Sequence, residues 1–290
     1  MKVGWVILDW SGTLSATSVA FGRPDSLRAA LKEAGLAESG LEDPERFWRE
    51  IVIPTWQEGS TSAIGYGALI ARQLVRSHPA GAAIEPELLR RARRFVGAYL
   101  EASAPDPIWR PLLERWSRHP GLRLLIATDH YAEATEAFLR HLEAWGVPVR
   151  VLRWPLASDP RPEEAAAEPA PIYLANSADV GATKDSPRFW GRVRRLLPER
   201  PVRAWVIDDF GANELSEDPY SAASRRRQER VLSAMAESWR VPVEGFWLLV
   251  PDLGRDPEAA LTRYRSRVHE AAQWLERRLR AWEAGRLHLA

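Results

Sequence analysis

Residues 3–14 read VGWVILDWSGTL, and this stretch decides the fold. Six apolar residues, Val3–Leu8, run into Asp9 and a Ser-Gly-Thr turn. The run is too short for a helix, and it predicts a buried strand. A carboxylate at the end of such a strand needs a partner, because burying an unpaired charge is costly. The questions are therefore which groups meet Asp9, and why Ser11 stands where a second acid would be expected.

Composition sets the class of protein. The 290 residues predict one large domain or two smaller ones, and 46% apolar and 27% charged residues are typical of soluble globular proteins. The net charge of +1 gives no electrostatic reason to expect nucleic-acid or membrane partners. The absence of cysteine excludes disulfides, thiolate metal sites and a Cys nucleophile. No signal peptide or long apolar segment is recognisable, so we expect a cytoplasmic protein.

Further apolar runs alternate with helical patterns. The predicted strands are Leu122–Ala127, Val202–Ile207 and Phe246–Val250, with weaker candidates at Val147–Leu152 and Ile172–Ala175. The predicted helices are Ile108–Ser117, Ala132–Trp145, Pro187–Leu197 and Glu217–Trp239. This alternation predicts an α/β fold with a doubly wound parallel sheet, which binds ligands at the carboxyl ends of its strands.

Residues 16–107 interrupt that alternation. They show helical periodicity but no convincing strand, so we expect a helical cap inserted after the first strand. The predicted domains are a core of residues 1–15 and 108–255, a cap of 16–107 and a C-terminal helix of 256–290. That helix is amphipathic, and its apolar face is expected to pack on the core or on a partner in a homodimer. The predicted cap helices are Ser26–Ala34, Pro44–Ile51, Tyr66–Val75 and Glu85–Leu100, and Asp159–Pro171 reads as an exposed loop.

Chemically active residue types follow the predicted strands. Asp9, Thr128 and the pair Asp208-Asp209 each come at or just after a strand end, and Lys184 precedes a helix. In a parallel sheet these groups would meet at one edge. A carboxylate can attack phosphorus, but it repels a phosphate, so a divalent cation such as Mg²⁺ is expected between them. A lysine and a hydroxyl can hold the other phosphate oxygens, and the amides of the Gly12-Thr13 turn can add an anion nest.

At this point four stretches resemble the four motifs of the haloacid dehalogenase-like (HAD) hydrolase superfamily. DWSGTL resembles the first, normally Asp-x-Asp-Gly-Thr, and LLIATD resembles the second. SADVGATKDSPRFW is similar to the third. VIDDFGAN resembles the fourth, in the form found in the phosphatase domain of soluble epoxide hydrolases. The resemblance covers residues 1–15 and 108–250, and it implies a HAD-like core with a helical C1-type cap.

The resemblance also implies residue roles. Asp9 would be the nucleophile and a metal ligand, and the backbone carbonyl of Ser11 a second ligand. Thr128 would hydrogen-bond the transferring group, and Lys184 would neutralise it. Asp209 would be the acidic metal ligand, because Asn213 follows it by four residues as in the family pattern. Asp208 would either share the metal or lie behind Asp209 without touching it. The substrate-binding set implied is Gly12, Thr13, Thr128, Asp129, His130 and Lys184.

Ser11 departs from the phosphatase pattern. The second Asp of that motif protonates the leaving group and then activates water, which a serine hydroxyl cannot do near neutral pH. Other branches depart here too, with Ala in phosphonoacetaldehyde hydrolases, Tyr in dehalogenases and Thr in P-type ATPases. His130, the substrate or a cap residue would then have to supply the missing acid/base.

Each of these residues could instead have a purely structural role. Asp9 could cap a turn, Thr128 or Asp129 could cap the next helix, and Lys184 and the Asp pair could be solvated. His130 is expected to be polar surface rather than an acid/base. In the insert, Trp48, Trp56 and Tyr66 are expected to pack in the core of the cap rather than line a substrate pocket. The basic run Arg225-Arg226-Arg227 is expected to form a solvated helix face.

Three functions remain open. The first is a Mg²⁺-dependent HAD-like hydrolase acting on a phosphorylated small molecule through an aspartyl-phosphate. The second is an attenuated or non-catalytic relative that binds a phosphorylated ligand. The third is a hydrolase of C–halogen or C–P bonds, although the Asp pair argues for a metal, which dehalogenases do not use.

Overall fold

A six-stranded, all-parallel sheet forms the centre of the protein in a computed structural model that describes residues 3–77, 81–155, 172–213, 219–250 and 257–287. The strand order is β3-β4-β2-β1-β5-β6. The strands are β1 (Val3–Leu8), β2 (Leu122–Thr128), β3 (Val149–Val151), β4 (Ile172–Asn176), β5 (Pro201–Asp208) and β6 (Val243–Trp247). The chain therefore has the doubly wound α/β architecture that the sequence predicted.

The first strand lies in the middle of the sheet because it is apolar on both faces. β1 pairs with β2 on one side and with β5 on the other. Val6 and Leu8 belong to one core cluster, and Trp5 and Ile7 belong to the cluster on the opposite face. All six residues are buried, as expected for a parallel strand covered by helices on both sides.

Helices cover both faces of the sheet. The core helices are α7 (Trp109–Ser117), α8 (Glu133–Glu143), α9 (Ser177–Val180), α10 (Pro187–Leu196), α11 (Pro219–Trp239) and α12 (Pro257–Leu287). Buried residues of α7, α8 and α12 belong to the first cluster, and those of α10 and α11 to the second. The apolar face of α12 packs on the core of its own chain, and the homodimer stays a prediction. Among the described residues, no helix combines the length and the apolarity needed to cross a membrane.

Helices also fill the segment between β1 and α7. They are α1 (Thr17–Phe21), α2 (Pro24–Glu33), α3 (Pro44–Phe47), α4 (Ile53–Gly59), α5 (Tyr66–Ser77) and α6 (Gly81–Ala102), with a π-helical turn at Trp48–Val52. The domain boundaries themselves stay a prediction. Proline opens α2 and α3, where its missing N–H costs nothing. Pro54 follows the π turn and has no N–H to offer the carbonyl four residues back, which accounts for the widened turn.

A carboxylate of the core holds this insert in place. Glu133, in the first turn of α8, accepts hydrogen bonds from the N–H groups of Tyr66 (2.7 Å) and Gly67 (3.1 Å) at the start of α5. These N–H groups have no acceptor within their own helix, so the bonds satisfy them and tie the insert to the core.

The observed elements differ from the predicted ones in a few places. The last strand lies at Val243–Trp247 rather than Phe246–Val250. The helix predicted at Pro44–Ile51 becomes α3 and the π turn, and the short helices α1, α4 and α9 were not predicted. The loop predicted at Asp159–Pro171 lies outside the described residues.

Candidate active site

The ends of three adjacent strands bring the predicted residues together. Asp9 follows β1, Thr128 ends β2 and Asp208 ends β5. All three are buried, as are Lys184 and Asp209. Asp9, Thr128, Lys184 and the Asp pair all line one cavity at this edge of the sheet. The sheet order therefore accounts for their convergence, since β1 lies between β2 and β5.

Lys184 joins two of these strand ends. Its Nζ donates to Asp9 Oδ1 at 2.5 Å and to Asp208 Oδ2 at 2.8 Å. Burial alone would lower the pKa of Lys184, but the carboxylates of Asp208 and Asp9 outweigh it and raise the pKa above its usual value. The side chain therefore stays a cation, and it is fixed beside the carboxylate of Asp9.

Three carboxylates form a buried cluster. Ligand oxygens of Asp9, Asp208 and Asp209 all lie within 4.8 Å of one another. Burial raises the pKa of Asp9 to about 8, with Lys184 opposing and Asp208 and Asp209 adding to the shift. Burial and the neighbouring Asp208 also raise the pKa of Asp209 to about 7. Ionising this cluster is unfavourable unless a further positive charge is present.

The charges around the cavity fit a divalent cation. Among its described lining residues, four carboxylates (Asp9, Asp129, Asp208, Asp209) accompany two cations (Lys184, Arg227). Full ionisation would leave an excess of two negative charges. Hard oxygen ligands of this kind suit Mg²⁺, so the donor set agrees with the metal that the sequence predicted. The assignment of Asp9, Asp209 and the Ser11 carbonyl as ligands, with Asp208 shared, stays a prediction.

The turn after β5 holds the acidic pair rigidly. Asp209 accepts from the N–H groups of Gly211 and Asn213, both at 3.1 Å. Phe210 and Gly211 have positive φ angles of 53° and 77°, which let the turn curl around these carboxylates. The Asn213 side chain donates to the Gly12 carbonyl (2.9 Å) and to the Leu248 carbonyl (2.8 Å), linking the first and fourth motifs.

The Gly12-Thr13 turn is structural in this arrangement. The Gly12 N–H donates to the Ser15 carbonyl (2.8 Å), and the Thr13 N–H donates to the Trp10 carbonyl (3.3 Å). Thr13 Oγ1 accepts from the Asp209 N–H at 3.0 Å. Neither Gly12 nor Thr13 lines the cavity. The anion nest expected at these two amides is therefore not formed, because both amides already have acceptors within the turn.

Ser11 contacts His130, one of the groups that the sequence offered as a replacement for the missing acid/base. Its Oγ lies 3.1 Å from Nε2 of His130. His130 is buried, contrary to the expected polar surface position, and its backbone N–H donates to Asn176 and Ser177. Burial, followed by the charges of Lys184 and Arg227, lowers the pKa of His130 to about 3. The ring is therefore neutral, and it meets the hydroxyl at the position that an acid occupies in the phosphatase motif.

Asp129 anchors a basic residue that was expected in solvent. It accepts from the Lys184 N–H at 2.9 Å and pairs with Arg227 Nη2 at 2.9 Å. Arg225 and Arg226 are exposed, but Arg227 is half-buried and lines the cavity. The solvated-face interpretation was therefore wrong for Arg227. The Arg run alone could not identify which of its three members points inward.

Aromatic side chains of the insert form the opposite wall of the cavity. The cavity encloses about 1100 Å³, counting space open to solvent, and it continues from Asp9 to the insert. We expected Trp48, Trp56 and Tyr66 only to pack the cap, yet all three also line the cavity. The aromatic lining from the insert is Phe21, Phe47, Trp48, Trp56, Tyr66, Phe95 and Tyr99.

A residue of the C-terminal helix supports the site from behind. The buried hydroxyl of Tyr264 in α12 donates to the Thr13 carbonyl at 2.5 Å. Trp109 Nε1 donates to the same carbonyl at 3.0 Å and to the Tyr264 oxygen at 2.7 Å. No local sequence signal marks Tyr264 for this position, because helical periodicity predicts only that it is buried.

Comparisons with known proteins add one similarity. No family model matches this sequence, and no curated protein matches it. Among solved structures, a 2-haloacid dehalogenase from Pseudomonas syringae pv. Tomato DC3000 is similar, with 16% sequence identity and a TM-score of 0.48. The similarity covers 90% of this chain and 99% of that one.

The chain's own topology decides the fold. The parallel sheet has β1 at its centre, helices are inserted directly after β1, and the four sequence motifs lie around one cavity at the carboxyl edge. The chain thus has the doubly wound parallel α/β fold, with helices inserted directly after β1, that its sequence predicted.

Proposed function

We propose that the protein is a Mg²⁺-dependent HAD-like hydrolase that cleaves a phosphate monoester through an aspartyl-phosphate on Asp9. The observation that carries this proposal is the buried contact of Asp9 with Lys184 beside the Asp208-Asp209 pair, at the end of a cavity. Lys184 bonds one oxygen of Asp9, and the described residues give the other oxygen no hydrogen bond. That second oxygen is therefore available as the nucleophile.

The reaction balances as two displacements. An Asp9 oxygen attacks phosphorus, the bond from phosphorus to the leaving oxygen breaks, and the leaving group departs as its alkoxide or phenoxide, which then takes up a proton from water. Water then attacks the phosphorus of the aspartyl-phosphate, releasing inorganic phosphate and a free Asp9. Lys184 and Thr128 can hold the phosphate oxygens. Mg²⁺ held by Asp9, Asp209 and the Ser11 carbonyl would offset the repulsion between phosphate and carboxylate.

The Ser11–His130 pair is the proposed acceptor of the proton from water. Both residues line the cavity, and their side chains are 3.1 Å apart. Burial and the cations Lys184 and Arg227 lower the pKa of His130, so the ring would accept a proton only once the negative charge of a bound phosphate raises that pKa again. We expect His130→Gln to slow turnover by about 10²-fold or more, the usual effect of removing a general base. Unchanged turnover in a folded His130→Gln protein would exclude the pair from proton transfer.

The experiment that tests the function is phosphate release from a broad panel of phosphate monoesters, with and without EDTA. Asp9→Asn is the control, because it keeps the shape of the side chain and removes the nucleophile. We expect turnover that needs both Mg²⁺ and Asp9. No substrate turned over above the Asp9→Asn background would refute the hydrolase.

Ser11 itself favours a second candidate, a protein that binds a phosphorylated ligand without efficient turnover. Thermal stabilisation by phosphate esters in the absence of phosphate release would support it. Ser11→Asp then separates the two cases: if only the acid/base is missing, this variant gains phosphatase activity, whereas a deeper loss leaves it inactive.

A further inference from the structure

The cavity has two chemically different ends. Its sheet end carries all of the charged lining residues, among them Asp9, Lys184 and Arg227. Among the described residues of the insert that line it, none carries a charge. Trp48 and Trp56 are half-buried there, and Phe95 is buried. A ligand reaching from Asp9 into the insert therefore passes from a highly charged site into an aromatic one.

We propose that the substrate is an aryl phosphate, a phosphate monoester of a phenol-like alcohol. Its aryl part carries no charge, so the phosphate is the only charged group. This proposal rests on the proposed function and specifies its substrate class. Aromatic walls favour a flat apolar group through burial and ring contacts. A carboxylate, ammonium or second phosphate in the insert would lose its water and find no opposite charge among the described lining residues.

The residue at position 11 supports the same class. An alkyl alcohol leaves as a strongly basic alkoxide unless an acid protonates it. The pKa of water, a comparable O–H group, is about 15.7, which shows how weakly acidic such a hydroxyl is. A phenol such as the tyrosine side chain ionises near pKa 10, so its oxygen leaves with much less need of a proton. Ser11 supplies a hydroxyl at the position where phosphatases have a carboxylic acid. An aryl ester is the kind of substrate that this arrangement can still cleave.

The first test measures binding separately from chemistry. Calorimetry would measure how tightly two non-hydrolysable phosphonates bind to the full-length protein in the presence of Mg²⁺. The two compounds compared are 1-naphthylmethylphosphonate and methylphosphonate. Burial of a phenyl-sized group corresponds to about 10- to 150-fold in affinity, and we expect a preference of that size for the naphthyl compound. Equal affinities would overturn the substrate class, and this result does not depend on whether the protein hydrolyses anything.

The second test uses matched esters. Phenyl phosphate should be turned over faster than benzyl phosphate, and 4-carboxyphenyl phosphate should have a kcat/KM lower than that of phenyl phosphate by about tenfold or more. Ser11→Asp should raise turnover of benzyl phosphate by a larger factor than that of phenyl phosphate, because only the alkyl ester needs the acid. Glycerol phosphate or the carboxylated ester as the best substrate would refute the proposal.

A pair of variants locates the site. Trp48→Ala should weaken binding of the naphthyl phosphonate by about 3- to 10-fold and leave methylphosphonate unaffected, since it removes one aromatic wall. Ile53→Ala is the matched control, because Ile53 is 54% exposed and does not line the cavity. An equal loss for both phosphonates in Trp48→Ala, or the same selective loss in Ile53→Ala, would contradict the assignment. Trp56→Ala repeats the test if Trp48→Ala does not fold.

If the protein hydrolyses no ester but still prefers the naphthyl phosphonate, the proposal that it is a hydrolase fails, and the proposal that it binds aryl ligands stands. If it hydrolyses small polar esters as well as aryl ones, the hydrolase stands and the ligand class fails. The two proposals therefore have distinguishable failures.

Discussion

Asp9→Asn should stabilise the metal-free protein, and the gain should increase with pH. In the wild type, burial raises the pKa of Asp9 from its usual 3.8 to about 8. Because the pKa of Asp9 is higher in the folded state than in the unfolded state, the stability linked to this group is fully present at pH values below its pKa in the unfolded state. That stability is lost as the pH rises through its pKa in the folded state. Asparagine does not titrate, and it keeps an oxygen that can accept from Lys184. The variant therefore escapes this loss.

The size of the effect follows from the same shift. Each pH unit between about 4 and 8 costs the wild type about 1.4 kcal/mol. From pH 5.5 to 7.5 the advantage of Asp9→Asn in free energy of unfolding should thus grow by about 2–3 kcal/mol. Urea unfolding in EDTA at both pH values measures it. Asp25→Asn is the control, because the Asp25 side chain is 99% exposed and its substitution should show no such trend.

Mg²⁺ should reverse the order of stability. The ion would stabilise the wild type according to its concentration and affinity, whereas Asp9→Asn has lost one of the carboxylates proposed to hold it. An advantage of Asp9→Asn that is the same at pH 5.5 and 7.5 would refute the reasoning about the buried cluster. So would equal stabilisation of both proteins by Mg²⁺.

Three further substitutions test the surroundings of the site. Gly12→Ala should lower Mg²⁺ affinity in calorimetry, because Gly12 has a φ of +71° and a Cβ there would collide with a carboxylate oxygen of Asp209. An unchanged Mg²⁺ affinity would mean that the turn does not approach Asp209 so closely. Tyr264→Phe should cost about 1–2 kcal/mol in urea unfolding by removing a buried hydrogen bond to the catalytic turn, and it should also lower kcat; an unchanged kcat would mean that the bond serves stability alone. Arg227→Met should destabilise by about 3–5 kcal/mol because the buried carboxylate of Asp129 loses its ion-pair partner and keeps only the bond from the Lys184 N–H, and Asp129→Asn in the same chain should recover most of that loss.

The sequence predicted the sheet well because its signals are local. Apolar runs of four to eight residues mark buried parallel strands, and Asp9, Thr128 and the Asp208-Asp209 pair each follow such a run. β1 was predicted with its observed bounds. β6 was shifted because its residues are only half-buried, so apolar content is a weaker guide for this edge strand.

The surroundings of the site were harder to predict because they depend on contacts between distant segments. Ser11 and His130 are 119 residues apart, and the sequence offered His130 only as one of several possible acid/bases, with no signal that places its ring against the Ser11 hydroxyl. Arg227 looks like its exposed neighbours Arg225 and Arg226 until the position of Asp129 is known. The aromatic residues of the insert carry a burial signal, but the same signal arises from packing and from lining a cavity.

The bond between Tyr264 and the Thr13 carbonyl has a consequence for protein synthesis. The two groups are 251 residues apart, so the turn after β1 waits for a helix that is synthesised 251 residues later. At a synthesis rate of about 5–20 residues per second, the delay is roughly 13–50 s. A nascent chain can form β1 and the insert during that time, but the turn that presents Asp9 lacks its rear support. The turn that presents Asp9 should therefore gain its rear support only after α12 has been made, later than all six strands of the sheet.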